Sequence, residues 1–235
     1  MSHVPCVLIT GAAGALGRAA VAAFAARGDR LVLVDRERDA LVAAFPDLAG
    51  DGRGLLLAGD VTDAGAMQQL AEAAARAGAV PDVLVHVAGG FEMGPAVHEL
   101  DRASWQRMLD LNAWSLVACA RAVVPAMLAA GRGRIVAVSA RSAGRGEANK
   151  GAYIASKSAL QRLVESLSAE VREGGIAVNS VAPSVIDTPA NRQAMPDADP
   201  ARWVSPATLA QCLLFLASDA GGAIHGQHLV VSGLS

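Results

Sequence analysis

Short apolar runs rich in Val, Ile and Leu alternate along the chain with longer Ala-rich stretches that carry polar residues at helical spacing. Nearly continuous hydrophobicity of this kind is typical of strands that helices cover on both faces. The alternation of such runs with helical stretches therefore predicts parallel β-α units in an α/β domain. The predicted strands are Val7–Thr10, Leu31–Val34, Gly54–Ala58, Val83–Val87, Arg134–Val138, Ala177–Val181 and His228–Val231.

The stretches between the strands have the length and composition of helices. Gly28 and Gly78 stand where two of these helices should end, because glycine readily adopts the left-handed conformation that closes a helix. Pro125 lies inside the longest stretch and is expected to kink or shorten it. No linker or repeat divides the chain, so residues 1–235 are predicted to form a single doubly wound domain. The predicted helices are Leu16–Arg27, Arg38–Phe45, Ala64–Ala77, Ser104–Ala130, Ala152–Glu173 and Pro206–Ser218.

Composition and charge narrow the classes of function. A formal net charge of −2 without blocks of like charge gives no reason to expect binding to nucleic acid or to an anionic membrane. Cys6, Cys119 and Cys212 are scattered and form no CxxC motif, so neither a disulfide framework nor a metal site is predicted. The N-terminus has no apolar stretch long enough for a signal peptide or a membrane span. We therefore expect a soluble, cytoplasmic protein that acts on a small molecule.

A glycine-rich turn, TGAAGALG, follows the first predicted strand and leads into the first predicted helix. Gly11, Gly14 and Gly17, with Ala15 and Leu16 between them, would let the backbone approach a pyrophosphate closely. The helix N-terminus adds free N–H groups and a positive dipole end. Glycine also occurs in such turns for steric reasons alone. The order of strand, turn and helix nevertheless favours a dinucleotide site.

An aspartate, Asp35, follows the second predicted strand. A carboxylate at this point can accept hydrogen bonds from both hydroxyls of an adenosine ribose and repels a 2′-phosphate. The carboxylate therefore favours NAD(H). Arg36 and Arg18 are nearby cations that can each pair with such a phosphate, so NADP(H) stays open. Asp60 and Val61 follow the third strand and are expected to flank the adenine. A helix-capping role for Asp60 is the alternative.

The single tyrosine of the chain, Tyr153, precedes Lys157 by four positions, which places both side chains on one face of a helix. A hydride that arrives at a carbonyl carbon leaves negative charge on the oxygen, which then needs a proton donor. A free phenol has a pKa of about 10, and a neighbouring cation lowers it. A lone pair with this spacing more often marks an ordinary amphipathic helix, so the other motifs decide between the two interpretations.

Taken together and in this order, the motifs resemble those of the short-chain dehydrogenase/reductase family over essentially the whole chain. This resemblance implies an NAD(P)-dependent oxidoreductase with a Rossmann-type, doubly wound sheet of seven mainly parallel strands flanked by helices. It also implies hydride transfer at the carboxyl edge of the strands. The matching segments are TGAAGALG at 10–17, GDVTD at 59–63, LNAWS at 111–115, YIASK at 153–157 and NSVAPSVIDTP at 179–189.

The resemblance assigns roles to individual residues. Tyr153 would act as general acid/base and Lys157 as its electrostatic partner, which also bonds the nicotinamide ribose. Asn112 would hold a water molecule that links the lysine to solvent. Family members pair their two long helices between subunits, which implies a homodimer or homotetramer. Further residues expected beside the cofactor are Ala88, Gly89, Pro183, Ile186 and Thr188.

The chain departs from the family pattern at several positions. Ala140 stands where the family carries a serine that polarises the substrate oxygen. Ser139 is adjacent, but alternation along the strand should direct its side chain to the opposite face. Ser142 is a candidate replacement, although a loop-capping role is favoured. His86 and Ser184 replace the usual asparagine and glycine, and His86 is expected to be a packed strand-end residue rather than a general base.

These departures are similar to those of one subgroup, the dihydropteridine reductases, at residues 14–17, 87–90 and 187–199. That subgroup also lacks the serine and favours NADH. The expected substrate is a small carbonyl, alcohol or quinonoid, imine-like compound, because an acceptor that is already electrophilic needs less polarisation. A dihydropteridine-reductase-like enzyme proper is one alternative. A non-catalytic protein that senses the nicotinamide redox state is an alternative of another class.

Overall fold

A computed structural model describes residues 4–48 and 54–235, and the strands within these ranges form one seven-stranded parallel sheet. The strand order is β3-β2-β1-β4-β5-β6-β7. The predicted fold class, a doubly wound sheet, is confirmed. The strands are β1 (Cys6–Thr10), β2 (Arg30–Asp35), β3 (Gly54–Ala58), β4 (Val83–His86), β5 (Gly133–Val138), β6 (Ile176–Pro183) and β7 (His228–Val231).

Helices cover both faces of the sheet. Gly28 and Gly78 both have positive φ angles just past helix ends, at 90° and 70°, as their positions in the sequence predict. The helices are α1 (Ala15–Arg27), α2 (Arg38–Ala44), α3 (Ala64–Arg76), α4 (Arg102–Leu109), α5 (Ser115–Ala130), α6 (Gly151–Val171), α7 (Pro189–Ala194) and α8 (Pro206–Leu216).

Two apolar layers hold the helices against the sheet. Leu8 of β1 packs in the layer that contains α3, α5 and α6, whereas its neighbours Val7 and Ile9 pack in the layer that contains α1 and α8. Successive side chains of a strand point to opposite faces, so a strand that is buried on both sides must be apolar throughout. This requirement explains why the strands are so easily recognised in the sequence.

The strand order reverses between β1 and β4, which lie next to each other with Thr10 opposite His86. The loops that leave these two strands diverge to opposite faces of the sheet and leave a crevice between them. Ligands of open α/β sheets bind at such a switch point, outside the carboxyl ends of the strands. The fold therefore places the glycine-rich turn and the segment after β4 on the two sides of one crevice.

The predicted helix Ser104–Ala130 differs from the helical segment in the structure. The observed segment starts at Arg102 and contains a π-helical turn, Asp110–Trp114, between α4 and α5. α5 continues through Pro125, so the expectation that this proline shortens the helix is wrong. Pro125 lies on the exposed face of α5, where water can reach the carbonyl that the proline leaves without a donor. The short helix α7 was not predicted.

Residues 102–130 also form the one segment of the described ranges whose length and hydropathy match a membrane span. In its most apolar window 44% is buried inside the protein. Met108, Leu116 and Met127 are among the buried side chains of this segment. The core helix of a globular domain has the same properties, and the packing of α5 against the sheet identifies it as such a helix.

Candidate active site

A cleft of about 1050 Å³ opens at the carboxyl ends of the central strands. It extends from the glycine-rich turn to the N-terminus of α7. Sequence reasoning did not point to Thr62, Arg107, Asp110 and Leu111, which also line it. The predicted cofactor residues that line it are Gly11, Gly14, Ala15, Leu16, Gly17, Asp35, Arg36, Asp60, Val61, Ala88, Gly89 and Thr188.

The glycine-rich turn has the geometry that a pyrophosphate requires. Gly11 has a φ of +65°, and a Cβ atom on it would lie 2.9 Å from the backbone of Ala88. A Cβ atom on Gly17 would lie only 2.0 Å from the carbonyl oxygen of Gly11. Gly14 is the N-cap residue of α1 and offers no side chain to the free N–H groups of the first turn. These groups therefore face the cleft, and the turn fits the anionic part of a dinucleotide.

Asp35 lies between this turn and the start of the loop after β2. Its Oδ2 accepts a hydrogen bond from the Ala13 N–H at 2.9 Å, and its Oδ1 accepts one from the Arg36 N–H at 2.8 Å. The carboxylate is therefore fixed at the wall of the cleft. Arg18 donates from Nε to the Ala13 carbonyl at 2.8 Å, so its guanidinium braces the glycine-rich turn.

Asp60 closes a tight turn after β3, the strand that pairs with β2 beside Asp35. Its Oδ1 accepts hydrogen bonds from both the backbone N–H and the hydroxyl of Thr62, each at 2.8 Å. The helix-capping alternative for Asp60 is wrong, because the N-cap of α3 is Asp63, which accepts from Gly65 and Ala66. By sequence, Asp60 and Asp63 both suit an N-cap, and because α3 begins at Ala64 the cap is Asp63.

Lys157 is buried in α6 and does not itself line the cleft. Its Nζ donates a hydrogen bond to the carbonyl oxygen of Val138 at 2.9 Å. A Cβ atom on Gly89 would lie 3.0 Å from this Nζ and 2.9 Å from Asn112 Oδ1, so both polar groups pack directly against the glycine. Burial lowers the pKa of Lys157 from 10.5 to about 8, because the interior disfavours the ammonium.

Asn112 lies in the π-helical turn and is also buried. Its Nδ2 donates to the Gly90 carbonyl and to Ser156 Oγ, each at 3.0 Å, while its Oδ1 accepts from the Gly90 N–H at 2.9 Å. The asparagine thus joins the loop after β4 to α6. Ser156 in turn donates to the carbonyl of Tyr153 at 2.7 Å. Sequence reasoning identified Asn112 but missed Ser156 and Gly90.

Tyr153 lies in the first turn of α6, and its ring meets that of Phe91 edge to face, with centroids 4.9 Å apart. Burial, with a smaller contribution from the Glu147 carboxylate, raises the pKa of Tyr153 to about 12. The interior disfavours the phenolate, and the Glu147 carboxylate repels it. The expectation that Lys157 together with oxidised nicotinamide lowers this pKa stays a prediction for the complex with the cofactor.

His86 has the packed role that its position predicts. Its Nδ1 lies 2.9 Å from Thr10 Oγ1 and its Nε2 lies 3.0 Å from Ser115 Oγ. Burial, together with the charge of Lys157, lowers the pKa of His86 to about 3, so the ring is neutral at pH 7. An imidazole with a pKa near 3 is a very weak base, and both of its nitrogens already have partners, so the geometry favours the packing role.

The segment after β5 contains no hydroxyl at position 140, where the buried residue is alanine. Ser139 Oγ points toward α6, 3.5 Å from the Lys157 carbonyl, as strand alternation predicts. Ser142 is half-buried in the short turn Arg141–Gly144 and does not line the cleft. Its role in polarising the substrate oxygen stays a prediction.

The segment after β6 forms the last wall of the site. Pro183 ends β6, and Ile186 bridges to Val204. Thr188 caps α7 by accepting from the Asn191 N–H at 3.2 Å, and it lines the cleft. Ser184, at the position of the usual glycine, donates to the Ser232 carbonyl at 2.6 Å and so ties this wall to the segment after β7.

Comparisons with known proteins agree with this geometry. A family model described as enoyl-(acyl carrier protein) reductase matches residues 11–233. The cis-4-hydroxycyclohexanecarboxylate dehydrogenase of Sinomonas cyclohexanicum is 35% identical over 236 aligned positions, which cover 96% of this chain and 94% of that protein. The galactitol 2-dehydrogenase of Rhizobium johnstonii is 36% identical and covers 93% and 90% of the two chains.

A solved structure from Burkholderia thailandensis, titled an oxidoreductase of the short chain dehydrogenase/reductase family, is also similar. It superposes with a TM-score of 0.87 at 33% identity and covers 99% of this chain and 92% of that chain. The similarity therefore spans the whole domain, including both walls of the cleft.

Proposed function

Because the chain belongs to the short-chain dehydrogenase/reductase family, we propose that it transfers a hydride between NAD(H) and a small carbonyl, alcohol or quinonoid, imine-like substrate. Membership makes it an NAD(P)-dependent oxidoreductase. One observation carries the finer proposal. Lys157 Nζ and Asn112 Oδ1 converge on Gly89, which lines the same cleft as the glycine-rich turn.

The described residues fit a dinucleotide along the cleft. The N–H groups at the start of α1 would hold the pyrophosphate, and Asp35 would accept from the hydroxyls of the adenosine ribose. Asp60 and Val61 would flank the adenine. Ile186 and Thr188 would hold the carboxamide of the nicotinamide, whose ring supplies or accepts the hydride and in its oxidised form carries a positive charge.

Tyr153 would exchange the proton. With a pKa of about 12 its hydroxyl is protonated at pH 7, which is the form that donates a proton to a substrate oxygen during reduction. Lys157 would then stabilise the phenolate by its charge, and it would also bond the nicotinamide ribose. Asn112, fixed between Gly90 and Ser156, would hold the water that returns a proton to Lys157 from solvent.

The acceptor is proposed to be electrophilic before it binds. Ala140 offers no hydroxyl to polarise a ketone, and loss of one such donor is worth about 3 kcal/mol of barrier in other enzymes. A quinonoid heterocycle or an activated ketone depends less on that donor. The relatives named above are dehydrogenases of hydroxy compounds, so small alcohols and their ketones belong in the same test panel. A pterin substrate stays a prediction.

The assembly is proposed to be a cytoplasmic homodimer or homotetramer. An apolar groove of about 480 Å³ lies between α5 and α6 on the outer surface and is lined in part by Val124, Leu163 and Leu167. Arg121 and Glu170 lie at the same groove. In a two-fold interface Arg121 of each copy can pair with Glu170 of the other copy. The groove therefore suits a second copy of the chain.

Tyr153→Phe tests the proton-exchange role. The variant keeps the ring that packs on Phe91 and removes the hydroxyl, so NADH should bind with nearly unchanged affinity while kcat falls by about 10²–10⁴-fold. Steady-state NADH oxidation should be followed with quinonoid dihydropterin, quinones, activated ketones and simple ketones. Equal turnover by the variant, or NADH binding without any turnover by the native protein, would contradict the proposal.

Asp35→Asn tests the cofactor preference. The amide keeps the size of the side chain but loses the charge that repels a 2′-phosphate, so the ratio of kcat/KM for NADH over NADPH should fall by about tenfold or more. The matched control is Asp39→Asn, an exposed carboxylate in α2. An unchanged ratio in Asp35→Asn, or an equal change in Asp39→Asn, would exclude Asp35 as the selecting group.

Val124→Arg tests the interface between copies. A charge in the apolar groove cannot be buried without a partner, so light scattering should show a lower molar mass than for the native protein. Val42→Arg is the control, because Val42 is 41% exposed on α2, away from the groove. A monomeric native protein, or a variant of unchanged mass, would refute the use of this groove.

A further inference from the structure

A series of side-chain hydrogen bonds leads from the adenine side of the cleft to the helix that carries Tyr153. Trp114 Nε1 donates to the carbonyl of Thr62 at 3.0 Å. Asn112, in the same π-helical turn as Trp114, donates to Ser156 Oγ at 3.0 Å. Ser156 donates to the carbonyl of Tyr153 at 2.7 Å. Three segments that are distant in sequence are thereby connected.

The first segment of this series belongs to the cofactor cleft. Gly59, Asp60, Val61 and Thr62 all line it, and the Asp60 carboxylate fixes Thr62 through two hydrogen bonds of 2.8 Å. The carbonyl that Trp114 reaches is therefore the last group of the turn that would flank the adenine. A ligand that orders this turn also fixes the acceptor of the tryptophan N–H.

The second segment is the turn Asp110–Trp114. π-Helical turns are rare, and they occur frequently at functional sites. The turn has five residues: Asp110 and Leu111 line the cleft, Asn112 points inward and Trp114 outward. Asn112 is 1% exposed and Trp114 is 41% exposed. The N–H bond to Thr62 ties this end of the turn to the loop after β3.

We propose that Trp114 is a positioning residue that couples occupancy of the adenine end of the cleft to the placement of Asn112 and the catalytic helix. The inference rests on the proposed function, since it concerns the two halves of the same dinucleotide. Ordering of the turn at Thr62 by the adenosine half leaves less to be ordered when the nicotinamide half binds beside Asn112. The two halves should therefore bind cooperatively, and the coupling must be reciprocal.

A purely structural role is the alternative. Trp114 would then only fasten α5 to the loop that precedes α3, and its loss would lower stability without changing communication between the ends of the cleft. The two roles differ in one observable. A structural hydrogen bond changes the free energy of unfolding, whereas a coupling residue changes the affinity for one half of the cofactor when the other half is present.

The experiment uses the cofactor in two pieces, AMP and reduced nicotinamide mononucleotide. The affinity of the full chain for the reduced mononucleotide is measured by its fluorescence, without and with saturating AMP, and needs no turnover. AMP should tighten this binding about threefold to tenfold in the native protein, the scale of one neutral hydrogen bond. In Trp114→Phe, which keeps a ring but removes the N–H, the gain should fall below about twofold.

Trp105→Phe is the matched control, because it removes an indole from α4, outside the π-helical turn, and should keep the native gain. Trp114→Leu removes the same N–H and replaces Trp114→Phe in this measurement if the phenylalanine variant folds poorly. Independent binding of the two pieces to the native protein, or a gain that survives in both Trp114 variants, would overturn the proposal. Failure of intact NADH to bind would instead contradict the proposed function, so the two failures are distinguishable.

Discussion

The buried ammonium of Lys157 is the constraint on which the rest of the site depends. A cation inside a protein is costly unless polar groups surround it, and here the Val138 carbonyl accepts from it at 2.9 Å. Position 89 favours glycine, because a Cβ atom on this residue would lie 3.0 Å from the ammonium and 2.9 Å from Asn112 Oδ1. His86 must be neutral, and burial with the charge of Lys157 keeps its pKa near 3. The carboxyl ends of β4 and β5 and the first turns of α6 are thus organised around one charge.

The chain by itself favours the proton donor form of the site. Burial raises the pKa of Tyr153 to about 12 and lowers that of Lys157 to about 8, so at pH 7 the phenol is neutral while the lysine is still mostly ammonium. A positively charged nicotinamide ring is the natural complement to such a pair, because it favours phenolate. Tyr153 is a proton donor, whereas Ala140 stands where a hydroxyl would polarise the carbonyl. This balance is the physical basis for proposing an electrophilic acceptor.

The sheet, the glycine-rich turn and Asp35 could be predicted from sequence because their signals are local. A strand buried on both faces must be apolar, and Gly17 lies so close to Gly11 that no side chain fits between them. The π-helical turn and the partners of Asn112 could not be predicted, since Gly90 and Ser156 lie far from it in sequence. The effect of burial on the pKa of Tyr153 could not be predicted either, because desolvation depends on tertiary packing. Asp60 and Asp63 look equivalent as helix caps until the start of α3 is known.

The most direct test is the titration of Lys157 itself. The sequence contains only two lysines, Lys150 and Lys157, and Lys150→Arg keeps a cation beside Glu147 while leaving a single lysine to observe. NMR of the side-chain carbon next to Nζ in ¹³C-lysine-labelled protein then follows one group across the pH range. The account predicts a midpoint near pH 8. A midpoint at the ordinary value of 10.5 would place the ammonium in water and contradict a site built around a buried cation.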